Sequence, residues 1–326
     1  MSITQLSSVA RGSVKRWGAV VGKSDLSDLP LVSVVTPCLN MGRFLRETIE
    51  SVLAQDYPRI EYIVMDGGST DATLAILADY AGRLTYFSGP DAGTADAVNR
   101  GFRKAHGSIL AFLNADDTYL PGGISAAVQA LLGDAETAAV YGNAYWIDQD
   151  GHTLGSYPAR PFDPALLRQE CFICQPASFL RRDALEEVGM LDPGLQYTYD
   201  YDLWIRLARL HTMRKIDQFV ATSRMHADSK TLGKRREVLK ETLRMLQRHF
   251  GYIPFRWIDA YSANLTDGRD QFFEPAQPSI PIYLRSLFIG IRYNSGYPLR
   301  FLREWASVMT VDGLVRRWRG VFDSSR

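Results

Sequence analysis

The sequence predicts an α/β fold with a mostly parallel central sheet flanked by helices, followed by a C-terminal helical appendage. Three observations carry that expectation. From Leu31 onward, short apolar runs alternate with stretches of helical period, the pattern of strand and helix units around a parallel sheet. In "AFLNADDTYLPGG", Ala111–Gly123, an apolar run stops at Asn114 and two carboxylates follow at Asp116 and Asp117. That places an acidic pair at the carboxyl end of a strand, where open α/β sheets bind ligands. Beyond Lys230 the chain turns helical, aromatic and rich in arginine.

The elements follow in order. "LVSVVT" is the first strand and ends at Thr36-Pro37; "GRFLRETIESVLAQ" then carries Phe44, Leu45, Ile49, Val52 and Leu53 on one helical face. "EYIVMD" is the second strand. Gly67 and Gly68 make a turn, Ser69 or Thr70 caps, and Leu74, Leu77, Ala78 and Ala81 form the buried stripe of the next helix. "LTYFS" is strand three, "AGTADAVNRGFRKA" a helix and "SILAFLN" strand four. The pattern changes after Pro121: "AAVYGNAYWIDQDGHTLGSYP" gives two strands around an Asp150-Gly151 turn. "PASFLRR" is another strand, "YDLWIRLARL" a helix, and "KIDQFVATSRMH" a final strand closing near His226. The expected domains are an N-terminal extension over 1–30, an α/β domain over 31–230 and a helical region over 231–326.

Composition narrows the classes. A chain of 326 residues with 46% hydrophobic residues can bury a large core. Net charge is +1, so no global field points to nucleic acid. Cys38, Cys171 and Cys174 suit a reducing compartment, and the Cys171-x-x-Cys174 pair lacks a second Cys or His pair at zinc-ligand spacing. No run reaches the roughly 18 apolar residues of a membrane span, and the N-terminus lacks the apolar core of a signal peptide. The expected location is the cytoplasm.

Two adjacent like charges at a strand end are opposed by repulsion and desolvation unless a cation, or a ligand that brings one, sits there. The surrounding motifs support a family resemblance. "VSVVTPCLNMGRFLRETIESVLAQDYPRIEYIVMDGGSTDAT", "GPDAGTADAVNRGFRKAHGSILAFLNADD" and "YTYDYDLWIRLA" together resemble glycosyltransferase family 2, the inverting nucleotide-sugar enzymes of GT-A fold, over about Leu31–Lys230. The resemblance implies transfer of a sugar from a nucleoside diphosphate, with Mg2+ or Mn2+ on the diphosphate. UDP-sugars are favoured as donor and a carbohydrate or lipid-linked hydroxyl as acceptor, in the manner of polysaccharide biosynthesis.

Residue roles follow from that resemblance and from the chemistry. A carboxylate-held cation offsets charge on the leaving diphosphate, so Asp116 is the expected metal ligand, with Asp117 beside it. The family motif usually opens with aspartate where this chain has Asn114; with Ala115, Asn114 is assigned to the nucleotide, through amide contacts to ribose. Asp66, ending strand two, suits the N3–H of a uracil or the equivalent edge of another base, and Thr36, Pro37, Leu39 and Asn40 form the neighbouring wall of the pocket. Asp91, Gly93 and Asp96 match the family's loop and helix beside the diphosphate and sugar. Inversion needs a base for the acceptor hydroxyl. Asp200 corresponds to the family's base, Tyr199 replacing the usual glutamate, and a helix N-terminus favours its ionised form. Asp202 is expected to cap the helix or to pair with an arginine instead. His226 matches a family histidine near the metal or diphosphate, and Gln175 resembles the region facing the acceptor; for Arg181 or Arg182 an anionic group there and plain surface solvation are equally good accounts.

Leu284, Leu287, Phe288 and Ile291 follow helical spacing, with Arg285 and Arg292 on another face, and Trp305, Trp318 and "RRWR" come later. Two readings stand for this region. One is a basic amphipathic surface on the inner face of the membrane, the other a cap on the catalytic domain or on a second subunit in a homo-oligomer. Among rival functions, a nucleotidyltransferase needs a Gly-rich basic loop that "TPCLNMGRF" lacks, and a dinucleotide dehydrogenase needs a G-x-G-x-x-G that is absent after strand one. A catalytically silent sugar-nucleotide-binding or scaffold protein of the same fold is the alternative, disfavoured by the presence of both Asp116 and Asp200.

Overall fold

The structure, a computed structural model, describes residues 28–274, 277 and 279–308. Most of the N-terminal extension, together with Trp318 and the "RRWR" run, lies outside the described residues. The chain forms two compact units, one comprising the described residues up to Pro164 with Cys171–His226, the other Ala165–Glu170 with the described residues from Ala227.

The first unit contains β1 (Val32–Cys38), α1 (Leu45–Leu53), β2 (Ile60–Asp66), α2 (Thr73–Asp79), β3 (Thr85–Ser88), α3 (Thr94–Lys104) and β4 (Ile109–Phe112). It continues with β5 (Thr118–Tyr119), α4 (Gly123–Leu132), β6 (Thr137–Ile147), β7 (Thr153–Ser156), β8 (Ser178–Arg181), α5 (Arg182–Val188), α6 (Tyr199–Leu210) and β9 (Thr212–Arg224). The sheet runs β3-β2-β1-β4-β8-β6-β9-β5, with β7 on β6. From β3 to β4 all pairs are parallel, joined by the crossover helices that parallel neighbours require. Beyond β4 the pairing turns mixed: β8 is antiparallel to both β4 and β6, while β6 and β9 run parallel with three register shifts.

Period-2 alternation explains the layers. Val32, Val34 and Cys38 of β1 join Tyr62 and Val64 of β2 in the core beneath α1, α2 and α4. Val35 points to the other face, where α3 packs so closely that a Cβ on Gly101 would come 2.4 Å from Val35 Cγ1. Glycine at 101 is therefore a packing residue.

Three local features differ from the sequence reading. The α2 helix begins at Thr73, whose N–H is accepted by Asp71 Oδ1 at 3.0 Å, while the Ser69 hydroxyl accepts the Asn40 N–H at 2.7 Å. The cap expected at Ser69 or Thr70 is replaced because those residues serve the β1 loop. Strand β5 directly follows the acidic pair and is too short for a period-2 signal. Helix α5, seven residues long, was hidden behind the strand pattern of "PASFLRR".

The second unit holds α7 (Lys230–Gly233), α8 (Arg235–Phe250), α9 (Phe255–Asp267), α10 (Ile280–Tyr293) and α11 (Pro298–Val308). Gly290 of α10 lies against Phe301 of α11, where a Cβ would meet the ring at 1.8 Å. Buried Asn294 clamps the Ile253 backbone, accepting its N–H at 2.8 Å and donating to its carbonyl at 3.0 Å. Among the described residues no helix is long and apolar enough to cross a membrane.

Candidate active site

The acidic pair sits in a turn that leaves β4, with the Asp117 N–H donating to Asn114 O at 3.1 Å. Its two carboxylates part company. Asp117 is buried, taking the Arg224 N–H on Oδ1 at 2.8 Å and the Asn114 amide on Oδ2 at 3.3 Å. Burial, and after it the charge of Asp116, push its carboxyl well above the usual carboxylate range. Asp117 therefore props the turn from inside, which is the place the structure gives this expected metal ligand. Asp116 instead looks toward the end of β9, its Oδ2 lying 3.1 Å from His226 Nε2. The two side chains, 110 positions apart, are 13% and 7% exposed, and the His226 ring rests 5.0 Å from that of Phe44.

Arg224 joins these parts and was not singled out from the sequence. Its side chain, 1% exposed, donates from Nε to Asp116 O at 2.8 Å, from Nη1 to the Asp148 and Gln149 carbonyls, and from Nη2 to Glu47 at 2.6 Å. The Thr48 hydroxyl, from α1, lies 2.9 Å and 2.8 Å from the Ala115 and Asp117 carbonyls. An arginine two residues before the histidine in "SRMH" was the only sequence signal, and it has no period.

Among the described residues no cluster of three His, Cys, Asp or Glu side chains is disposed to hold a metal. What the site offers is one carboxylate and one imidazole. That set is too small for an all-protein cage, yet it suits a cation arriving with a diphosphate, because Mg2+ keeps several waters and takes one or two carboxylates plus phosphate oxygens.

The parallel half of the sheet supplies a second acidic position. Asp66 ends β2 beside Cys38 and Ser88 in register. It is 2% exposed, and its Oδ2 accepts the Ser88 hydroxyl at 2.5 Å and the Gly68 N–H at 3.2 Å, while the Ser69 N–H is shared by both oxygens. Oδ1 thus has one donor and keeps acceptor capacity. Asn40, at φ 54°, takes the Thr70 N–H on its side chain at 2.8 Å, so the β1 and β2 loops are tied together. Leu39 is 53% exposed beside them, and Pro37 is buried. The Thr36 hydroxyl, by contrast, turns under the sheet to Tyr62 at 3.1 Å, on the face of Val34 and Cys38.

At the start of α3, Asp91 Oδ1 accepts the Gly93 N–H at 2.9 Å and Asp96 Oδ2 the Ala92 N–H at 3.2 Å. Gly93 has φ +118°, and a Cβ there would meet Gln196 Oε1 at 2.9 Å. Only glycine serves both needs.

Asp200 lies in the first turn of α6, half-buried, with Oδ1 accepting the Tyr201 N–H at 2.8 Å. Tyr199 beside it reports the company: burial, then the charge of Asp200, push its phenol far up, and Asp116 and Asp117 act in the same direction. Asp202 is buried and paired with Arg206 at 2.7 Å, as its spacing implied. Arg181 and Arg182 do not face an acceptor. Arg181 donates to the Thr137, Leu131 and Asp134 carbonyls near the end of α4, and Arg182 to Gly107, Ala105 and Phe102 at the end of α3, where a cation meets the helix dipole. Gln175 is interior too, bonding Phe112 O at 2.6 Å and the Asn114 amide at 3.0 Å. The Asn114 Nδ2 is therefore spent on the protein, which leaves only its Oδ1 for the expected ribose contact.

A half-parallel sheet flanked by helices, with acidic residues at its carboxyl edge, defines an open α/β class. Comparison sharpens the class. Residues 33–189 match the family described as "Glycosyl transferase family 2". An uncharacterised glycosyltransferase of Rickettsia typhi is 31% identical over 225 residues, covering 65% of this chain and 69% of that one. The O-antigen biosynthesis protein RfbC of Myxococcus xanthus is 32% identical over 205 residues, 61% of this chain and 16% of that longer one. Among solved structures, S. aureus TarS 1-349 in complex with UDP-GlcNAc superposes with a TM-score of 0.55 at 15% identity, over 86% of this chain and 91% of that one. The mannosyltransferase PcManGT from Pyrobaculum calidifontis, in complex with GDP-Man and Mn2+, gives 0.54 at 19%, over 93% and 82%. The chain belongs to glycosyltransferase family 2, and its fold is GT-A.

Proposed function

We propose that the protein is an inverting glycosyltransferase that moves a sugar from a nucleoside diphosphate, UDP favoured, to an acceptor hydroxyl on a carbohydrate or lipid-linked chain. The observation that carries the reading is the meeting of Asp116 and His226 at the sheet edge, with Asp200 acting on the same region. The Myxococcus relative's O-antigen role supports polysaccharide or glycolipid assembly, and the neighbours' UDP-GlcNAc and GDP-Man support a sugar-nucleotide donor. We keep the cytoplasm as its compartment.

Asp66, through Oδ1, receives the base N–H, and the loop of Leu39 and Asn40 walls the nucleotide. Asp91, Gly93 and Asp96 shape the backbone beside the diphosphate and sugar, with Gly93 leaving room for close approach. Asp116 and His226 would hold Mg2+ or Mn2+, which when bound offsets the charge growing on the leaving diphosphate. Asp117 keeps Asp116 in place from beneath. Asp200 takes the proton of the acceptor hydroxyl as its oxygen bonds the anomeric carbon and the carbon–diphosphate bond breaks on the opposite side.

A panel of nucleotide sugars with Mg2+ or Mn2+, scored for nucleoside diphosphate release, tests this reading. Release stimulated by one donor and one cation is expected, and Asp116→Ala should weaken cation-dependent donor binding. A chain that binds nucleotide sugars and turns none over with any acceptor would be a silent binding protein instead.

A further inference from the structure

Among the described residues of the second unit, exposed apolar side chains concentrate on one helix, with Phe273, Tyr297 and Leu299 exposed outside it. On α10, Ile280, Leu284, Phe288 and Ile291 are 75%, 59%, 83% and 39% exposed. Their spacing of four, four and three places them in one stripe, with Leu287 turned partly inward. Leu299 at the start of α11 is 70% exposed as well. Isolated exposed leucines need no explanation, whereas a continuous stripe marks an interaction surface.

Charge selects the occupant. Arg285 and Arg292 each follow a stripe residue, and Arg300 and Arg303 lie on α11; all four are exposed. Between 280 and 308 the sole acidic residue is Glu304, which is turned inward to accept the Tyr252 hydroxyl and, at 3.0 Å, the Phe255 N–H. A second copy of the chain would bring this patch against itself in a two-fold interface. Arginines would then face arginines with no carboxylate between them. An anionic bilayer supplies both partners at once, acyl chains for the stripe and headgroups for its flanks.

We propose that α10 lies on the surface of a bilayer bearing anionic headgroups, its apolar stripe set among the acyl chains and Arg292 and Arg303 at the headgroups. The helix is 14 residues long and does not span. Arg285 is partly committed to the protein, donating to Leu265 O at 2.7 Å and to the Thr266 hydroxyl, and Arg300 stacks 4.0 Å over Tyr252. The two remaining arginines are the ones a test should remove.

The experiment floats the full chain with phosphatidylcholine vesicles, with and without phosphatidylglycerol. Flotation with the anionic vesicles alone is expected, fading at high salt. Leu284→Gln with Phe288→Gln should lower the partition coefficient tenfold or more, on the order expected for two apolar side chains. Arg292→Gln with Arg303→Gln should lower it roughly fivefold per arginine. Both pairs are exposed, so an unchanged thermal midpoint verifies folding. Failure of the wild type to float, or flotation untouched by both pairs, overturns the proposal. So does a solution dimer that Phe288→Gln dissociates in the absence of vesicle binding. None of these readouts uses sugar transfer, so they stand apart from the reading of the first unit.

Discussion

The loop after β4 and the first turn of α6 present the two proposed working carboxylates in opposite ways. The loop is fixed from beneath by buried Asp117 and from the side by Arg224, which spans Asp116 O, two carbonyls of the β6–β7 turn and Glu47. The α6 turn leaves Asp200 half-buried on a helix end. The contrast follows the tasks. A group that holds charge in one place gains from a stiff, buried surround, whereas a group that takes a proton must stay within reach of the substrate.

The largest effect should come from the open side. Asp200→Asn is isosteric and half-exposed, so it should cut transfer about 10²–10⁴-fold while thermal stability and nucleotide affinity stay near wild type. Single-turnover rates and calorimetric binding of the nucleoside diphosphate separate the two quantities. Transfer at the wild-type rate would move the base elsewhere and dissolve the contrast.

On the closed side the effect should be structural. Arg224→Met strips hydrogen bonds from three carbonyls, while half-exposed Glu47 is solvated by water once its partner goes. The expected loss is that of the orphaned acceptors, about 1–3 kcal/mol, read by urea unfolding. Arg224→Lys should recover little, since one ammonium cannot reach the acceptors that the guanidinium spans.

Much of this was legible beforehand, for particular reasons. The strands β1 to β4 and helices α1 and α3 were readable because period 2 and period 3.6 survive wherever one face is buried. Motif resemblance singled out Asp116 and His226, which the structure brings within 3.1 Å of each other, and their hold on a cation stays part of the proposal. Arg224, Gln175 and the inward turns of Thr36 and Asp117 were not, because each depends on a partner far along the chain. Arg181 and Arg182 misled for the same reason: an arginine capping distant helix carbonyls looks, in sequence, like one facing solvent or an anion. In the mixed half of the sheet β6, β7, β8 and β9 were readable as strands, whereas β5, only two residues long, and the antiparallel pairing of β8 were not.

A comparable effect probes the loop beside α3. Gly93→Ala forces a side chain into φ +118° and toward Gln196, which should cost about 1–3 kcal/mol and weaken donor affinity more than it lowers turnover. Adding Gln196→Ala removes the contact but not the backbone strain. The double variant should therefore recover only part of the stability, as a thermal melt would show.

The smallest effect belongs to the far end of β2, and it sharpens the contrast by acting away from the site. Glu61 opens the strand that Asp66 closes. Its carboxylate accepts the Ser33 hydroxyl at 2.5 Å and the His106 N–H at 2.7 Å, and lies 2.6 Å from His106 Nδ1. Burial favours the neutral form of Glu61, but the hydrogen bonds from His106 and Ser33 outweigh it, and its pKa falls below the ordinary value. A carboxyl whose folded pKa is depressed adds stability above its unfolded pKa and loses it as pH falls toward the folded one. Wild type should therefore lose more stability than Glu61→Gln as pH drops below about 4.5, and above that range the variant should be modestly the less stable. Partial exposure keeps the difference small, and donor affinity at neutral pH should be the same in both. If affinity moved with Glu61, the two ends of β2 would be coupled, and the stiffness assigned to the site would extend through the whole strand.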